Sequence, residues 1–149
     1  MKSSRTLFIP LTLAITGLAC FIAGFSIGQE QKLNSRVYEL RTYTTLPGRL
    51  PALHKRFSEH TMKLFEKHGM KNEAYWVPTD DERKDTTLIY IVSHESEDAA
   101  KKNWAAFQAD PDWQKARAAS EAEDAGGKIL AKAPERVYMK LTNYSPQPK

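Results

Sequence analysis

Cysteine is almost missing from this chain. The single one, Cys20, lies inside an apolar leader, so the part beyond residue 28 can form no internal disulfide, offer no thiol nucleophile and build no thiolate metal site. A dominant charge is missing too. Lys plus Arg number 22 against 18 Asp plus Glu, and setting aside Lys2 and Arg5 of the leader leaves 20 against 18, or +2. So balanced a surface carries no electrostatic footprint for nucleic acid. There is no HExxH, no nucleophilic serine motif, no phosphate-cradling glycine loop and no RNA-binding signature. These absences exclude several enzyme classes, though not cofactor-free oxygenation, which needs little more than a shaped cavity. What is present, 27% charged and 41% hydrophobic residues over 149 positions, describes one ordinary folded domain.

Long apolar runs are also absent, with one exception. Lys2 and Arg5 precede Leu7 to Ile27, 21 residues without a charge. A signal-peptide core takes about 7 to 15 residues and a bilayer span about 20, so the run reads either as a signal peptide or as an anchor through residues 7–27. Ser26-Ile27-Gly28 places small residues where a signal peptidase reads them, before Gln29. Both readings hold the basic N-terminus in the cytoplasm and export the rest to the periplasm or beyond. The expected organisation is a leader at 1–28, a polar spacer at 29–35, a folded domain at 36–144 and a flexible tail at 145–149.

Within the domain, alternation and aromatic or branched content predict a strand over Val37 to Thr44, VYELRTYT. Pro47-Gly48 turns the chain, and apolar residues at Leu50, Leu53, Phe57, Leu64 and Phe65 predict a helix to His68, stopped by Gly69. Strands are expected at Lys71 to Val77, Thr86 to Ser93 and Arg136 to Thr142. Between the last two, Ser96 should cap one helix and Asp110, with Pro111, should start another that runs to Gly126-Gly127. The order is that of a split βαβ, an α+β ferredoxin-like sandwich with helices on one sheet face. LIYIV in the third strand is apolar on both sides, so a second copy should cover the bare face and close a dimeric α+β barrel around a cavity.

VYELRTYTTLPGRL at 37–50, EKHGMKNEAYWVP at 66–78 and WAAFQADPDWQKARAAS at 104–120 resemble NIPSNAP domains, over roughly Val37 to Tyr144 and in that family's order. The resemblance implies the same dimeric barrel, related in shape to small monooxygenases and haem-handling proteins. It assigns no catalytic residue or cofactor. The third-strand positions where members often carry His or Trp hold Tyr90 and Val92 here.

Period-two alternation puts Tyr38 and Leu40 on one face of the first strand and Glu39, Arg41 and Tyr43 on the other. If the apolar pair faces the helices, Glu39, Arg41 and Tyr43 point into the dimer cavity, joined by Tyr90 and by His94 at its mouth. There they either hold a small polar ligand, a small apolar or aromatic one being the other possible occupant, or form an internal Glu39–Arg41 ion pair that sets dimer register. His54 and His60 would lie about 240° apart around a helix and cannot share a metal. The aromatic residues Trp76, Trp104, Trp113, Phe57, Phe65 and Phe107 have the spacing of core packing rather than a cofactor box. Two functions stay open: a ligand- or partner-binding module, and a cofactor-free or haem-associated oxygenase or isomerase.

Overall fold

A computed structural model describes residues 36–146. The expected leader and spacer and the last three residues of the tail lie outside that range. Among the described residues no helix is long and apolar enough to cross a membrane.

The first strand, β1, spans Val37–Thr44 as its alternation predicts. It is followed by α1 (Leu50–Arg56), a π-helical turn (Phe57–Thr61) and α2 (Met62–Lys67). Strands β2 (Lys71–Trp76) and β3 (Thr87–His94) come next, then α3 (Glu97–Ala109), α4 (Pro111–Ser120) and β4 (Glu135–Met139). The sheet has the order β2-β3-β1-β4 with every neighbouring pair antiparallel, the ferredoxin-like α+β sandwich.

Local chemistry accounts for most element ends. Ser96 accepts a hydrogen bond from the Ala99 amide at 3.1 Å and Asp110 accepts one from Asp112 at 2.8 Å, each relieving an orphan helix donor. Gly69, at φ +75°, adopts the left-handed conformation that closes α2. β4 ends at Met139 rather than the expected Thr142, and two helices differ from expectation. The helix predicted to reach Gly126-Gly127 stops at Ser120, because residues 122–127 fold back on themselves, Gly127 donating to the Ala122 carbonyl at 2.8 Å. The helix predicted as continuous from Leu50 to His68 contains the π turn. There the Met62 amide reaches back to the Phe57 carbonyl, and the Thr61 hydroxyl bonds the Arg56 carbonyl at 3.1 Å. Arg56 and Phe57, three and four residues beyond the fully buried Leu53, both face inward, and the extra residue of the turn rephases the helix that follows.

Both helical layers cover one face of the sheet. Leu53, Phe57, Phe65, Trp104 and Phe107 meet Leu88, Tyr90 and Val92, the alternate residues of β3, in a single core. The register places Glu39 opposite Val92 and Arg41 opposite Tyr90, so Glu39, Arg41 and Tyr43 also lie on the helix side. This reverses the expected facing of β1: Tyr38, Leu40 and Thr42 look toward the bare face. The helices do not demand an apolar β1 surface, because they and the neighbouring strand bring donors to meet its charges. The bare face carries the apolar Leu40, Ile89, Ile91, Val137 and Trp76 together with the polar Thr42, Ser93 and Glu135, and within one protomer Val137 and Trp76 are 54% and 48% exposed. Trp76 therefore does not belong to the helix-side core.

Candidate functional site

The five residues singled out from sequence come together, but inside one protomer rather than between two. Glu39 has no exposure and accepts three hydrogen bonds. Arg41 Nη1 lies 2.8 Å from Oε1, while His94 Nε2 and Trp104 Nε1 lie 3.0 Å and 2.6 Å from Oε2. Burial pushes the Glu39 carboxyl up, but the bonds from His94 and Trp104 and the charge of Arg41 outweigh it and hold the pKa below the ordinary value. His94 is fully buried behind this carboxylate, so it is not at a cavity mouth. The internal Glu39–Arg41 pair is present, yet it faces the protomer's own helices.

On the same side, the Tyr90 hydroxyl donates to Tyr43 at 3.1 Å, and Tyr90 stacks on Tyr75 with ring centroids 5.3 Å apart. Burial drives the Tyr90 and Tyr75 phenols well above their ordinary range, so both stay neutral at physiological pH. Phe57 packs edge-on against Tyr43 and Tyr90 at 5.8 and 5.2 Å. Most of the expected aromatic packing is thus realised, with Trp113 half-buried at the end of the row, 4.4 Å from Phe107.

Arg41 and Tyr43 are the members of this cluster that reach open space. They line a cleft of about 520 Å³ between the β1 side of the sheet, α3, α4 and the loop leading to β4. Its other walls include Arg56, Trp104, Trp113, Arg117, Glu121 and Lys128. The volume falls in the range of small-molecule sites, about 300 to 1,000 Å³. Arg41 lies over the Trp104 ring at 4.2 Å and Arg56 over the Trp113 ring at 5.2 Å. Arg56 also pairs with Glu121 at 2.9 Å, and Arg117 braces the same carboxylate at 3.3 Å. No imidazole or thiolate lines the cleft, and its phenol, Tyr43, is engaged by Tyr90, so the residues present do not fit an axially ligated haem. Among the described residues no cluster of His, Cys, Asp or Glu is placed to hold a metal ion.

Sequence reasoning missed Arg56, Trp113 and Glu121 as site residues. Arg56 stands three residues beyond Leu53, on the inward side of α1, where a cation is unusual. The one sequence-level signal was the recurrence of Trp at 104 and 113 around the Asp110-Pro111 break.

The model of the family described as NIPSNAP matches residues 38–146. No curated protein matches the chain in sequence. Among solved structures, a NIPSNAP family protein with unknown function from Agrobacterium tumefaciens superimposes with a TM-score of 0.62 at 22% identity, covering 76% of this chain and 95% of that one. An uncharacterised NIPSNAP-like domain protein from Burkholderia xenovorans gives 0.62 at 13% identity, with 78% and 93% covered. A monooxygenase from Streptomyces coelicolor, in complex with the ligand nanaomycin D, gives 0.50 at 19% identity, with 76% and 93% covered. At these identities the likeness is one of fold.

Proposed function

The chain belongs to the NIPSNAP family, and from that premise we propose that it is an exported, homodimeric module that binds a small ligand in the cleft between α3, α4 and the sheet of each protomer. The observation that carries this is the Arg41 side chain. It is held by a fully buried carboxylate on one side and lines the cleft on the other. Fixing a guanidinium through a network of three donors on one acid is costly for a core and useful for a site, because a preorganised cation loses little freedom when it meets a ligand. The bare face, with the apolar Val137 and Trp76 open in one protomer, supports a second copy as its cover. Export rests on the uncharged run at 7–27 behind Lys2 and Arg5, which either is removed or stays as a tether.

Native mass spectrometry of the protein recovered from an exporting host tests the whole reading. The expected species is a dimer carrying one small-molecule mass per protomer, and its N-terminal mass reports whether the leader remains. A monomer that loads no ligand would overturn it.

A second reading, cofactor-free oxygenation or isomerisation in the same cleft, draws on the fold shared with the Streptomyces monooxygenase and on the Tyr43 phenol, which lines the cleft and accepts a hydrogen bond from Tyr90. Fold alone does not assign a reaction. Oxygen consumption or product formation with the ligand recovered from the dimer would establish it.

A further inference from the structure

We propose that the ligand of this cleft is a small aromatic carboxylate, its acid group between Arg41 and Arg56 and its ring along Trp104 and Trp113. The proposal rests on the cleft reading above and gives it a chemical class.

Both guanidiniums lie over indoles, Arg41 at 4.2 Å from the Trp104 ring and Arg56 at 5.2 Å from the Trp113 ring. A guanidinium over a ring keeps its N–H donors at its own edges, where a planar acceptor can meet them. Each cation has committed only part of its donor set among the described residues. Arg41 gives Nη1 to Glu39, and Arg56 gives Nη1 to Glu121 and the Ser120 hydroxyl. The Nε–H of each is buried with no partner, although Arg41 and Arg56 are only 9% and 4% exposed. Those Nε atoms are closed off from solvent, as is that of Arg49 outside the cleft, so the donors a ligand would meet are the Nη2 groups, which make no hydrogen bond among the described residues.

Charge points the same way. Four cations, Arg41, Arg56, Arg117 and Lys128, line the cleft, against the carboxylates of Glu121 and, behind Arg41, Glu39. A monoanion reduces that surplus and a neutral ligand does not. Planar in-plane donors match a carboxylate edge. The aromatic walls call for a flat apolar body, and about 520 Å³ accommodates one or two fused rings.

Isothermal titration calorimetry of the full-length chain with benzoate, cinnamate and 2-naphthoate, each against its own amide, tests the assignment. At least one acid should bind with Kd below about 1 mM and its amide at least about tenfold more weakly, since the amide keeps the shape and loses the charge. Arg56→Gln should weaken the acid by about tenfold or more and leave the amide nearly unchanged, while Lys128→Gln, at the exposed rim, should weaken the acid by about two- to threefold. If Arg56→Gln does not fold, the comparison of acid with amide on the unaltered chain decides. Equal binding of acid and amide, both abolished by Trp113→Ala, would overturn the carboxylate class and keep the cleft as the site. Binding of neither, or binding indifferent to Trp113→Ala and Arg56→Gln, would overturn the cleft reading as well.

Discussion

Glu39 is the residue on which the protomer interior turns. It brings a carboxylate to zero exposure and satisfies it with a guanidinium, an imidazole and an indole drawn from β1, β3 and α3. Replacing it removes the counter-charge of a buried cation, so Glu39→Leu should lower stability by ~3 to 5 kcal/mol in urea unfolding. A loss below ~1 kcal/mol would mean that Arg41 finds water instead. The same carboxyl sets part of the pH response. Its folded pKa is depressed, as is that of Asp110, which Lys67 and His68 hold at 2.8 and 2.6 Å. A depressed carboxyl stabilises the fold fully above its unfolded pKa, near 4, and that contribution is lost as pH falls through the folded value. Urea midpoints should therefore be flat for these groups above about pH 5 and decline below about pH 4. Substituting Gln for Glu39 should reduce that acid slope. Alternation in VYELRTYT made Glu39 and Arg41 visible as a same-face pair. Which face was not legible, because the donors that make burial tolerable lie 55 and 65 residues away at His94 and Trp104.

At the scale of elements, the segment Leu50–Lys67 shows what periodicity can and cannot say. Its apolar stripe was readable because Leu50, Leu53, Phe57, Leu64 and Phe65 do face the core. The π turn within it was not, since neither glycine nor proline marks it, and the contact Arg56 makes beside it, with Glu121, spans 65 residues. Phe57 begins that turn and touches Tyr43, Phe65, Tyr75 and Tyr90. Phe57→Ala should cost ~3 to 5 kcal/mol, read from chemical denaturation. The start of α1 offers a second test. Arg49 caps nothing with its side chain locally, and instead bonds the carbonyls of Ser120, Ala125 and Gly127 at 3.0, 2.6 and 2.8 Å, tying α1 to the loop after α4. Gly126 sits at φ +92° with a would-be Cβ 2.5 Å from that guanidinium. Gly126→Ala therefore combines a disfavoured backbone with displacement of a triply bonded side chain, and should destabilise by more than ~1 kcal/mol. Caps at Ser96 and Asp110, by contrast, were legible because cap and capped amide are at most three residues apart.

For the whole molecule, the decisive surface is the bare sheet face. Its apolar part was readable from LIYIV, whose Ile89 and Ile91 do turn away from the helices. Of the polar residues expected to line a cavity between two sheets, Arg41 and Tyr43 line a cleft on the helix side of the protomer, and Glu39, Tyr90 and His94 lie buried behind it. Val137 is exposed in a single protomer, so Val137→Lys should change the stability of an isolated protomer by no more than ~0.5 kcal/mol. In the proposed dimer the same lysine would be buried without a partner, and sedimentation velocity should show the mass fall from dimer to monomer. An unchanged dimer would place the interface elsewhere.

The strand order has a consequence in time. Central β1 pairs with β4 through Tyr38 and Met139, 101 residues apart, so one of its two edges has no partner until nearly the whole chain has been made. At about 5 to 20 residues per second of synthesis, that is a wait of roughly 5 to 20 s for a segment of high strand propensity. Such segments nucleate aggregation unless a charge interrupts them. Glu39 and Arg41 interrupt this one. The pair that ends as a dry ion bridge beside the cleft begins as the guard that keeps β1 from pairing with the wrong chain.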